Sequence, residues 1–194
     1  MALPAIIETK PNRLYSLKEF EELDLPADGN KYELIDGVIK VTPPAGDDHG
    51  RIGNEIVVRI AIFDPERKLG RSWTDTGFQI APGFNAAPDV AFIKTENLPD
   101  RSRGSVPVRP DLAVEVWSPG DLNTKAHQAE ARAKIRRYQV AGVSIVWAIN
   151  PATQKVEVYH SDQVDPVQIL GIADTLSGEE VIPGFTLPVK TLFE

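Results

Sequence analysis

Two acidic residues in apolar, strand-like surroundings are the first places where this sequence could do chemistry. Asp89 follows Pro88 and precedes Val90-Ala91-Phe92-Ile93, and Glu115 interrupts the run from Leu112 to Trp117. A carboxylate inside a stretch that is apolar on both faces must find a cation, a donor or a metal, because burying it alone is costly. The two residues are 26 positions apart, enough for a strand, a loop and a return strand, so neighbouring strands can bring them together. Such a pair is what Mg²⁺ or Mn²⁺ takes from protein, with water and phosphate filling the other positions. The plainer alternative makes Asp89 a turn acid and Glu115 the partner of an arginine.

Three further residues join them. At about 100° per residue, Lys134 falls at the edge of the arc formed by His127, Ala131, Ile135 and Tyr138, the side expected to face a sheet. An ammonium turned inward there can neutralise a phosphate or orient a water, whereas most helical lysines reach back into solvent. His49 shares a narrow arc with Ile52, Gly53, Ile56 and Ile60, so it belongs to a buried stripe, either as a water-orienting group or as a satisfied core histidine. Glu33 lies in Tyr32-Glu33-Leu34-Ile35 and reads either as a second metal contact or as a strand carboxylate in solvent. Asp111, at a strand entrance after Pro110, reads as structural, His127 as packing or surface, and Tyr138 as packing.

The elements that must position these groups follow from local chemistry. Ser16-Leu17-Lys18-Glu19 is a capping box for a short helix. Asp36-Gly37 joins two short strands, Tyr32 to Val41, into a hairpin. Asp47 or Asp48 is expected to cap the helix carrying His49. Gly70 to Ile80 reads as extended, Pro88 to Ile93 and Asp111 to Trp117 as strands, and Asn97 to Pro110 as loop. Ser118 to Asp121 ends the strand, a helix runs from about Thr124 to Ala141 before Gly142, and strands follow at 144–149 and 156–160. Residues 161–194 alternate short extended pieces with Gly and Pro, expected to add a sheet edge or a dimer contact.

With 194 residues, 42% hydrophobic and 25% charged, the chain has the composition of a globular protein. We expect one domain over 1–194, with its core at about 32–160. No apolar run approaches the ~20 residues of a membrane span, so no membrane role is expected, and the cytoplasm is the expected compartment. The absence of cysteine excludes disulfides, thiolate zinc sites and cysteine nucleophiles. A net charge of −7 disfavours non-specific coating of nucleic acid, yet residues 101–137 carry eight Lys or Arg against four Asp or Glu, a local basic stretch that could meet a polyanion.

Taken in order, Tyr32-Glu33-Leu34-Ile35-Asp36-Gly37, His49, Pro88-Asp89-Val90, Asp111 to Pro119, Lys134 with Tyr138, Gly142-Val143 and Trp147 to Pro151 resemble the Uma-two endonuclease family of the PD-(D/E)XK, restriction-endonuclease-like superfamily. The resemblance implies an α/β fold, a mixed central sheet flanked by helices with an N-terminal hairpin. It also implies Asp89 and Glu115 as metal ligands, Lys134 as a catalytic lysine supplied from the helix, and Glu33 and His49 lining the same cleft. The expected function is metal-dependent phosphodiester hydrolysis, with Mg²⁺ or Mn²⁺ as cofactor, DNA as substrate and a homodimer by fold-level analogy. One departure stands out: Trp117 occupies the place where the superfamily signature has lysine, and Lys134 is the substitute, with Lys125 and Arg137 behind it. The alternative is a catalytically silent nuclease-fold module that binds nucleic acid or a protein partner.

Overall fold

The computed structural model describes residues 13–44 and 46–194. Residues 1–12 lie outside the described residues. In chain order the elements are α1 (Leu17–Glu21), β1 (Lys31–Ile35), β2 (Val38–Thr42), α2 (Asp47–Phe63), β3 (Gly70–Thr74), β4 (Phe78–Ala81), β5 (Phe84–Ala86), β6 (Val90–Lys94), β7 (Leu112–Val116), α3 (Pro119–Leu122), α4 (Lys125–Val140), β8 (Ile145–Asn150), β9 (Lys155–His160), β10 (Gln168–Leu170), β11 (Thr175–Ser177) and β12 (Thr186–Pro188).

A six-stranded sheet runs β10-β9-β8-β7-β6-β3, and β7 with β8 is its one parallel pair. That parallel step requires a crossover, which α3 and α4 supply. A second, four-stranded sheet runs β2-β1-β5-β4. Its first two strands are the expected hairpin, closed by Asp36 and Gly37 with φ of 52° and 75°, the left-handed pair that Asp-Gly tolerates and that matches strand twist.

Side chains alternate across the large sheet, so each strand feeds two layers. Val90, Phe92, Leu112, Val114, Val116, Ile145, Trp147 and Ile149 pack on one side with Ile52, Ile56 and Ile60 of α2. Ala91, Ala113, Val146 and Ala148 face the other, with Ile135 and Tyr138 of α4. Residues 161–194 contribute β10 as a sheet edge, and Leu176, Val181, Ile182, Phe185, Leu187 and Leu192 complete the α2 layer.

Three sequence expectations need correction. Gly46, not Asp47 or Asp48, caps α2; no side chain bonds there, and both acids lie in the first turn, where they favour the positive helix end. Ser118 to Asp121 does more than stop a strand, because Ser118 and Asp121 form a capping box that starts α3. The extended stretch from Gly70 divides into two strands of different sheets, β3 and β4. Among the described residues, no helix is long and apolar enough to cross a membrane.

Candidate active site

The site lies where β6 begins and β7 ends, at the end of the large sheet that both helical layers reach. Register pairs Val90 with Val114, so the next antiparallel step sets Asp89 beside Glu115. Asp89 itself extends the ladder, its Oδ2 accepting the Val116 N–H at 2.7 Å. The same oxygen lies 3.3 Å from His49 Nδ1, and Oδ1 accepts from Lys31 Nζ at 3.3 Å. His49 comes from the first turn of α2, as the buried stripe implied, and its Nε2 is buried without a partner among the described residues.

Glu115 faces α4. Lys134 Nζ donates to Glu115 Oε2 at 3.0 Å and to Glu33 Oε1 at 2.9 Å. It thereby bridges the two sheets, because Glu33 belongs to β1 and Glu115 to β7. Glu33 Oε1 also accepts the Ala87 N–H at 2.8 Å, and Tyr138 Oη donates to Glu115 Oε1 at 2.7 Å. A cleft of about 890 Å³ joins Lys31, Glu33, His49, Asp89, Glu115 and Lys134, with Trp117, Lys40 and Arg137 among its walls. All five residues singled out from the sequence, Asp89, Glu115, Lys134, Glu33 and His49, therefore line one space.

Electrostatics sets the protonation of this cluster. Burial pulls the Asp89 carboxyl up, but the His49 hydrogen bond, the Lys31 charge and the Val116 N–H outweigh it and hold its pKa low. The Asp89 bond raises His49 against the opposing pull of burial. Burial dominates at Glu115 and raises it, with Asp89 and Glu33 adding to the effect and Lys134 resisting it. Burial would lower Lys134, yet the charges of Glu115 and Glu33 win and lift it far above an ordinary lysine. Lys134 is thus a fixed ammonium at any physiological pH.

The sequence missed two members. Lys31, at the start of β1, makes three contacts described below, and Tyr138 bonds Glu115 as well as packing. Trp117 is buried in the α4 layer with the Arg132 guanidinium 5.3 Å above its ring, so it fills core space, and the ammonium bonded to Glu115 is Lys134 of α4. Arg137 pairs with Asp36 and lines the cleft mouth, while Lys125 is exposed. Asp111 is structural, accepting from the Lys94 N–H and from Asn97. His127 bonds Gly120 and Asn123 at the start of α4. In the basic stretch, Arg132, Lys134 and Arg137 are already paired with carboxylates.

The fold and this carboxylate–lysine cluster define an α/β protein of restriction-endonuclease-like architecture. A family model described as "Uma2: Putative restriction endonuclease" matches residues 17–190, and the chain belongs to that family. Among solved structures it is similar to one described as a "putative nuclease belonging to DUF820 from Anabaena variabilis". The TM-score is 0.73 and the identity 23%, over 92% of this chain and 97% of that one. That likeness establishes the shared mixed sheet flanked by helices. The curated proteins give no match.

Proposed function

We propose that the protein is a divalent-metal-dependent nuclease that hydrolyses phosphodiester bonds in DNA. The observation that carries this reading is the Lys134 ammonium set between Glu33 and Glu115, one strand away from Asp89. Family membership supports the nuclease class.

The donor chemistry fits a hard cation. Among the described residues no three His, Asp or Glu side chains converge as a ready-made cage, but Mg²⁺ characteristically takes one or two carboxylates from protein and keeps several waters. Asp89 and Glu115 would hold it. When bound, such an ion lowers the pKa of a water and polarises a phosphate oxygen. Lys134, held as an ammonium between Glu115 and Glu33, would stabilise negative charge developing on the phosphate. His49 and the Val116 N–H hold the Asp89 carboxylate, and Tyr138 fixes the rotamer of Glu115. Cutting both strands of a duplex would call for two active sites, hence a homodimer.

The test is cleavage of supercoiled plasmid and single-stranded DNA with Mg²⁺, Mn²⁺ or EDTA, comparing wild type with Glu115→Gln and Asp89→Asn. Metal-dependent nicking by wild type that both variants lose is the expected result. Equal cutting by all three would assign the activity to a contaminant. Binding of DNA with no cutting under any metal would make the protein a silent nuclease-fold module.

A further inference from the structure

Lys31 opens β1, where a lysine ordinarily extends into solvent, yet its side chain is only 20% exposed. Its Nζ donates to the Ala87 carbonyl at 2.9 Å and contacts Asp75 Oδ1 at 3.0 Å and Asp89 Oδ1 at 3.3 Å. An ammonium has three N–H donors and no acceptor, and here three oxygens surround it, two from the β5–β6 connection and one from just past β3. Two carboxylates and a backbone carbonyl are also an oxygen set suited to a hard divalent ion.

The two carboxylates differ. Asp89 is buried and fixed by Val116 and His49, whereas Asp75 is 59% exposed. Asp75 sits just past β3 in the left-handed region, with φ of 44°, a conformation that aspartate tolerates better than most residues. Lys31 therefore stands between an inner acceptor that belongs to the site and an outer one at its rim. The charges of Asp89 and Glu115 keep it protonated despite its burial, which pulls the other way.

We infer that Lys31 is a built-in competitor for the metal: its ammonium occupies the cation side of Asp89, and Asp75 receives it when a divalent ion takes Asp89. Asp75 is then a positioning residue whose task is to hold the displaced lysine. This rests on the metal-dependent reading above and goes beyond it by assigning two residues outside the carboxylate–lysine cluster. A consequence is that the affinity of the site for metal is set by a side chain that touches no metal.

The measurement is Mn²⁺ binding by titration calorimetry, paired with thermal melts with and without Mn²⁺, for wild type, Lys31→Gln, Lys31→Arg, Asp75→Asn and Asp89→Asn. Lys31→Gln removes the charge and retains an N–H donor on a slightly shorter side chain. It should bind Mn²⁺ about tenfold or more tighter than wild type and show a larger rise in Tm on adding Mn²⁺. Lys31→Arg should stay near wild type, and Asp75→Asn should weaken binding severalfold in wild type but not in the Lys31→Gln background. Should Lys31→Gln fail to fold, tighter binding in wild type than in Asp75→Asn still supports the role, and equal binding overturns it. Unchanged or weaker Mn²⁺ binding by Lys31→Gln, with wild-type binding that Asp89→Asn abolishes, overturns the Lys31 role and leaves the nuclease reading intact. No Mn²⁺ binding by any of the proteins overturns both.

Discussion

The two faces of the large sheet are made by the same strands and do opposite work. Along β7 and the residue that follows it, Leu112, Val114 and Val116 point into the α2 layer, and Ala113, Glu115 and Trp117 point towards α4. The α2 face is filled by large apolar side chains around Trp147 and contributes packing, apart from His49 at the start of α2, which reaches Asp89 at the sheet end. The α4 face is thinned by Ala91, Ala113 and Ala148, which lets α4 approach with Tyr138 and Lys134. The difference shows how a two-residue period can write a dry core and a charged site into one strand. It also separates what mutations should do on each side.

The largest effect is expected on the packing face. Trp147→Ala should cost about 3–5 kcal/mol of stability, read by denaturant unfolding, while the folded fraction keeps its turnover. Trp147→Phe should cost much less, because it also removes an indole N–H that is buried without a partner among the described residues. On the site face, Lys134→Ala should reduce cleavage per folded molecule by about 10²–10³-fold. It should also lower Tm, because two buried carboxylates lose their shared cation. A Lys134→Ala enzyme that cuts at the wild-type rate would erase the distinction between the faces.

A subtler change sharpens the comparison. Tyr138→Phe keeps the ring packing and deletes only the bond to Glu115, so it should cost about 1.5–3 kcal/mol and slow cleavage by roughly tenfold. Equal stability with unchanged rate would make Tyr138 a packing residue alone. The smallest effect belongs to a cap remote from both faces. Glu19 is held at about 2, below its ordinary 4.5, first by the Ser16 N–H and hydroxyl and then by Arg13. A depressed acid contributes stability that is present above pH 4.5 and lost as pH falls through about 2. Wild type should therefore melt above Glu19→Gln by about 2 °C or less at pH 6, and the gap should close below pH 2.

Much of this was legible because it was local. A carboxylate in an apolar strand, a lysine at the edge of a helical arc, an Asp-Gly turn and a capping box each carry their physics within a few residues. Glu115 was found as a carboxylate lacking a partner nearby in sequence, and Lys134 as a cation turned towards the core. Lys31 was not found, because nothing near it in sequence sets it apart from an exposed strand lysine. Its role depends on β1 pairing with β5 through Leu34 and Asn85, which brings it to residues 56 and 58 positions away. β5 was also not found, although Pro82-Gly83, just past the extended stretch from Gly70 to Ile80, is a turn signal that points to a return strand after it. Trp117 breaks the superfamily motif in the sequence; in space it is a packing residue, and the ammonium that bonds Glu115 comes from α4.

The hairpin that carries Glu33 is fastened to α4 at two points on its outer side, Asp36 to Arg137 and Lys40 to Glu130. Both fastenings are partly or largely exposed, whereas the Lys134 bridge beneath them is mostly sheltered. Dissolved salt screens exposed pairs far more than sheltered ones. Rising ionic strength therefore weakens the two ties at the rim of the cleft more than the Lys134 bridge at its floor.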